Sequence, residues 1–234
     1  MSQQKILSLS LTRPKTFDNF FGNANQLLLK YLKNLEPGKS AYLWGISGTG
    51  CSHLLKAACA YWQAQSWYTV YLDLARPHSY KILMDQGLPS IQLLALDHID
   101  EAVKKTSEAK DLFALFNRCQ ELGCVTLWGA HQPASTLSVA LADLHSRLNS
   151  IPVFQLRLLD DLELKEALKC YADQQGFHLP TPVIQFLLTH YPRNLSELLN
   201  ILDQLSMFSL QRKKKLSLPV VRLWEASKIQ STAP

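Results

Sequence analysis

Between an apolar run ending in Tyr42-Leu43-Trp44 and the helix-forming run His53–Ala60 lies Gly45-Ile46-Ser47-Gly48-Thr49-Gly50-Cys51-Ser52. Strand, glycine-rich turn and helix, in that order, aim backbone N–H groups and a helix N-terminus at phosphate. The spacing is that of the G-x-x-x-x-G-K-[ST] loop, with Cys51 where the lysine belongs. A neutral thiol supplies no charge-assisted contact to the outer phosphates. The chain therefore keeps a nucleotide-type scaffold and lacks one part of the hydrolytic apparatus.

Around that loop the chain alternates. Strands are expected at 40–44, 68–73, 91–96, 124–129 and 152–156, with helices at 24–35, 53–66, 108–122 and about 136–147. Apolar strands separated by helices predict an α/β fold whose parallel sheet is covered on both faces. After about residue 157 the pattern becomes all-helical, with helices expected at 160–175, 181–190, 194–211 and 218–228. Asp160 or Asp161 can cap the first and Gly176 can stop it. Leu195, Leu198, Leu199, Leu202 and Leu205 form one helical stripe.

With 234 residues, 47% hydrophobic and 18% charged, the chain has ample material for an ordered core. The formal charge of +5 is mild, and residues 1–155 carry 14 basic against 11 acidic side chains. Electrostatics alone thus gives no case for direct DNA binding. The one basic cluster, Arg212-Lys213-Lys214-Lys215, reads as a solvated turn between helices rather than a nucleic-acid patch. Five cysteines without a C-x-x-C pair suit reduced thiols in the cytoplasm. No run is long and apolar enough for a membrane span, and the N-terminus has no signal-peptide core.

A second element, Ile91–Asp100, is an apolar strand ending in Asp97, placed to hold magnesium and its waters downstream of a phosphate loop. The next position, an acid in hydrolases, is His98. Neighbours on a strand point to opposite faces and no third ligand has metal-site spacing, so Asp97 and His98 are not expected to form a metal pair. At the loop, a helix N-terminus would lower the Cys51 pKa, yet no base stands near it in sequence, and a small neutral replacement is the expected role.

Thr16-Phe17-Asp18-Asn19-Phe20, the Gly45–His53 loop and the Leu93–Asp100 strand together resemble the AAA+ domain of DnaA. Ser52-His53-Leu54-Leu55-Lys56-Ala57-Ala58-Cys59-Ala60 and Gly176-Phe177-His178-Leu179-Pro180 resemble more closely Hda, the family of DnaA-related regulatory inactivators. The resemblance spans nearly the whole chain. It implies a tail at 1–12, an AAA+ base domain at 13–155 and a helical lid at 156–234. Phe20 and Phe21 would lie near an adenine, and Gly45, Gly48, Thr49, Gly50, Cys51, Ser52 and His53 would cradle phosphates. Asp143–Leu148 matches the segment carrying an arginine finger, which points to Arg147. Pro192-Arg193-Asn194-Leu195 matches the lid segment with a sensor arginine, which points to Arg193. The planar, permanently charged guanidinium suits both roles. Capping or a surface ion pair is the competing account of Arg147, and packing on the base domain that of Arg193.

ADP is the cofactor this implies, weakened about ten- to a hundredfold by the lost lysine; magnesium would sit at Asp97. Leu127-Trp128-Gly129-Ala130-His131-Gln132-Pro133 departs from the family's small polar residues, and Trp128 cannot orient water, so no intrinsic ATPase is expected. The tail's Ile6, Leu7, Leu9 and Leu11 resemble the family segment that binds the DNA polymerase sliding clamp, with Ile6 for its glutamine and Ser10 for its proline. An edge strand is the competing reading there. DnaA and the clamp are the implied partners, with DNA reached through the clamp, in a nucleoid-associated cytoplasmic protein without a membrane role. Self-association into a homodimer stays open. The implied function is to promote hydrolysis of DnaA-bound ATP and so restrain initiation. The alternative is a degenerate AAA+ adaptor that joins DnaA or the clamp without nucleotide.

Overall fold

A computed structural model describes residues 15–22, 25–76, 80–81, 83 and 90–231, with side chains to Lys228. The tail residues Ile6, Leu7, Leu9 and Leu11 lie outside the described residues. Five strands, β1 (Ser40–Trp44), β2 (Thr69–Asp73), β3 (Leu93–Asp97), β4 (Val125–Ala130) and β5 (Val153–Gln155), form one sheet in the order β2-β3-β4-β1-β5. Every pairing is parallel. Both neighbours of β1 are therefore later strands, reached by crossovers that put helices on both faces.

Side-chain alternation divides the core. Leu43, Leu93, Ala95, Val125 and Leu127 face α1 (Gln26–Lys33) and α2 (Cys51–Gln63). Tyr42, Leu94, Leu96 and Trp128 face the other layer, with α3 (Ile99–Ala102), α4 (Thr106–Glu121) and α5 (Ala142–Ser150). Trp128 is fully buried there beside Phe116, and its Nε1 donates to Thr126 Oγ1 at 2.9 Å. Thr126 Oγ1 in turn lies 2.6 Å from Ser40 Oγ. The polar atoms of this central strand are thus paired with one another, as burial demands.

Beyond β5 the chain becomes helical: α6 (Asp161–Gln174), α7 (Thr181–His190), α8 (Leu195–Gln211) and α9 (Leu218–Ser231). Asp160 caps α6 in a reciprocal box with Glu163, and Gly176 at φ 73° ends it. The expected leucine stripe forms the inner face of α8, where Leu198, Leu202 and Leu205 are wholly buried against Leu168, Leu187 and Trp224. The expected boundary at residues 155/156 falls at the end of β5.

Among the helix starts that differ from expectation, two have a clear local cause. α2 begins at Cys51 because Gly50, at φ 92°, turns the chain straight from the loop into the helix. α5 begins only at Ala142, since the chain from Pro133 makes a single 3-10 turn (Ala134–Thr136) and Leu141 is extended.

Candidate phosphate-loop site

The glycine-rich loop sits at the carboxyl end of β1, where ligands of open parallel sheets bind. Thr49 folds its hydroxyl back onto Ile46 O (2.8 Å), and its N–H meets the same oxygen at 3.2 Å, closing the loop. The first-turn amides of α2, at Cys51, Ser52 and His53, have no intrahelical acceptor. The cavity before them has a volume of about 260 Å³. Besides the loop, Lys15, Lys56, His98, His131, Asn194 and Ser196 line it.

Cys51 does not reach into this cavity as a lysine would. Its Sγ donates to Leu43 O at 3.6 Å, inside the sheet. Burial, and then the Asp97 carboxylate, push its pKa well above the ordinary thiol range. The lowering expected of a helix N-terminus is overturned because the sulfur points back into the core, away from the amide dipoles. The thiol is neutral at pH 7.

Asp97 shares the α2 face with Leu93 and Ala95, as its place in β3 dictates. It is 2% exposed. Tyr71 donates to its Oδ2 at 2.6 Å and the His98 amide to its Oδ1 at 3.0 Å. Burial and that hydrogen bond raise the Tyr71 pKa far above the usual phenol value, so the phenol remains a donor. Both carboxylate oxygens are therefore engaged by protein donors in a nearly closed space. That donor set fits an internal acceptor better than a ligand for a solvated magnesium ion.

His98 is not turned away from Asp97. It lies just past the strand at φ 56°, where face alternation no longer holds, and this backbone folds the ring back. Its Nδ1 is 2.9 Å from Asp73 Oδ1 and 3.7 Å from Asp97 Oδ2. His131, just past β4, makes a parallel arrangement: Nδ1 is 3.1 Å from Asp100 Oδ2, and its amide also donates to that carboxylate. The two imidazoles stack with centroids 5.3 Å apart. Asp73, Asp100 and His131 were not singled out from the sequence. The available signal was that β2, like β3, ends in aspartate, and register pairs Asp73 with Asp97. Among the described residues no group of three His, Cys, Asp or Glu side chains is placed to hold a metal ion.

The loop is also covered by the chain itself. A Cβ built on Gly50 would lie 2.8 Å from the Phe20 ring, and one on Gly48 would lie 3.0 Å from the Asn194 amide group. Phe20 thus covers the loop and stands against His53 at 5.5 Å between ring centroids. Phe21 is half-buried beside it. His53 donates its Nε2 hydrogen to Thr16 O at 2.9 Å, and burial depresses its pKa. Arg193 stays outside the cavity lining, making a two-pronged pair with exposed Asp161 at 2.7 and 3.2 Å. Its neighbour Asn194 reaches the loop instead. Arg147 lies on α5 and is exposed. Among the described residues no carboxylate pairs with its guanidinium, and its carbonyl accepts from Ser150 Oγ at 2.8 Å.

A family model described as "Hda, lid domain" matches residues 160–224. A Haemophilus influenzae protein described as uncharacterized is 32% identical over 226 residues, covering 95% of this chain and 98% of that protein. Domain III of the replication initiation protein DnaA from Thermotoga maritima superposes with a TM-score of 0.78 at 21% identity, covering 90% of this chain and 95% of that one. AMPPCP-bound DnaA from Aquifex aeolicus gives 0.67 at 21% identity, over 87% and 69%. The Thermotoga maritima RuvB branch migration motor gives 0.68 at 17% identity, over 92% and 72%. These structures share the fold: an AAA+ base with its parallel sheet and a helical lid. No helix among the described residues is long and apolar enough to cross a membrane. Taken together, the lid match, the near full-length relative and the shared architecture make this chain an Hda-like member of the DnaA-related AAA+ proteins.

Proposed function

We propose that this protein restrains replication initiation by promoting hydrolysis of ATP bound to DnaA, without being an ATPase itself. The N-terminal tail binds the DNA-loaded sliding clamp through Ile6, Leu7, Leu9 and Leu11, and Arg147 enters the partner's nucleotide site. One observation carries the reading: Arg147 is exposed on α5 with no carboxylate partner among the described residues, whereas the positions needed for hydrolysis in its own loop are turned inward or replaced. An arginine supplied in trans raises nucleotide hydrolysis by about 10³–10⁵-fold. In the loop, ADP is the proposed ligand. Free first-turn amides, Ser52 and the nearby Lys15 and Lys56 support it, as does the AMPPCP held by the Aquifex DnaA relative. The test is Arg147→Ala in an assay of ATP hydrolysis by DnaA with loaded clamp. Loss of stimulation with an unchanged melting temperature is expected, and stimulation equal to wild type would reject the role.

A second reading, an adaptor that joins DnaA or the clamp without nucleotide, is favoured by one observation: Phe20 and Asn194 already cover the loop glycines. Calorimetric titration with ADP separates the two, since micromolar binding is expected only under the first.

A further inference from the structure

In the basic run, which is the solvated turn expected from the sequence, Lys213, Lys214 and Lys215 also form one lip of an apolar groove in the lid. The end of α8 and the turn into α9 face the turn after α6 across a cleft of about 710 Å³, against about 260 Å³ for the phosphate-loop cavity. Leu216 and Phe177 belong to the lid core and supply its apolar surface, and Leu210 lines it while 74% exposed. Leu210, in the last turn of α8, and Lys213, in the turn that follows it, both line the groove. The side chains lining the cleft include no carboxylate.

The lysines are held on a fixed turn. Lys213, at φ 51°, donates its amide to Leu210 O, and the Lys214 amide meets Ser209 O at 3.1 Å. The buried Ser209 hydroxyl closes on Lys214 O. Among the described residues no carboxylate pairs with the three ammonium groups of Lys213, Lys214 and Lys215. The turn thus sets three ammonium groups beside an apolar floor, an arrangement complementary to a partner that is both acidic and apolar.

We infer that this groove binds an acidic amphipathic peptide segment of a partner protein, one or two bulky apolar side chains entering beside Leu210 while flanking carboxylates meet Lys213–Lys215. Charge complementarity fixes the sign of the partner, and the apolar floor fixes its class. Nucleic acid fits less well: it asks for a broad basic track with open aromatic faces, and Phe177 is half-buried in the lid core. The lid as a whole is also nearly balanced, with 10 basic and 8 acidic residues from 156 to 234. This inference is independent of Arg147 and of nucleotide.

The experiment is fluorescence anisotropy on the full chain. The probe is a fluorescein-labelled peptide in which Asp and Glu flank a Leu-x-x-Phe pair, run beside the same peptide with Ser for Leu and Phe, and beside labelled oligothymidylate. Binding of the first probe is expected, weakening with added salt and lost with the serine version. Leu210→Asp and Lys214→Glu are each expected to lower affinity at least about tenfold. Both positions are exposed, and melting curves check that both variants fold. Leu162→Asp, at the far end of α6, leaves binding unchanged. No binding at roughly millimolar peptide, binding indifferent to both groove variants, or tighter binding of oligothymidylate than of peptide would each overturn the inference.

Discussion

The phosphate loop and helix α5 have used their polar groups in opposite ways. Around the loop, nearly every side chain that could act on a nucleotide is engaged within the protein. Cys51 is bonded to Leu43, Asp97 to Tyr71, and His98 and His131 to their own carboxylates. On α5, Arg147 carries its charge into solvent with no carboxylate against it among the described residues. Groups satisfied internally hold a shape, whereas an unpaired exposed arginine keeps its donors for a partner. Under the proposed function, this contrast makes the loop a scaffold and α5 the part of the same domain that meets a partner.

The sharpest way to break this contrast is Arg147→Ala. It is expected to lower stimulated hydrolysis of DnaA-bound ATP by about 10³-fold or more, while stability stays within about 0.5 kcal/mol, as for exposed substitutions generally. A turnover assay with parallel melting curves checks both halves. Next in size is Trp128→Ala, which removes a fully buried ring at the centre of the sheet and leaves Thr126 without one partner. A loss of about 3–5 kcal/mol in urea unfolding is expected, confirming a core role where relatives are expected to place a water-orienting residue.

Cys51→Lys tests the loop from the other side. Restoring the charge should tighten ADP by about ten- to a hundredfold in calorimetry. ATP turnover should stay absent, because Asp97 and His98 remain tied to Tyr71 and Asp73. Turnover appearing in that single variant would show that the lysine alone had been missing. The smallest effect is on pH dependence. Burial lowers the His53 pKa from its ordinary 6.5, so the folded state disfavours the imidazolium. The resulting stability is complete above that value and is lost as pH falls from it through the folded pKa. His53→Gln should flatten that part of the wild-type stability curve.

Much of this architecture was readable in the chain. Apolar runs of strand length fixed all five strands to within two residues, because a sheet buried on both faces leaves little freedom in where its polar ends fall. The Asp160 box and the Gly176 stop marked the lid's first helix through local chemistry alone. What stayed hidden was long-range. Asp73 meets His98 only because β2 and β3 pair in register and His98 adopts a left-handed backbone. The reversal of the Cys51 pKa depended on which way one side chain turned, and no spacing rule encodes that. Arg193 and Asn194 are adjacent in sequence, yet one pairs with Asp161 and the other reaches Gly48. Motif spacing could identify the segment, but the fold chose the residue.

Asn194 carries a consequence of its own. Its Oδ1 caps α8 by accepting from the Ser196 and Glu197 amides, while the same amide group lies against Gly48. Anything entering the loop there must contend with a group that also secures the start of a lid helix, a cap contributing about 1 kcal/mol. Filling the loop and fraying the first turn of α8 are then linked events. The exchange rate of the Ser196 and Glu197 amides becomes a clock for occupancy, readable on the lid without any label in the cavity.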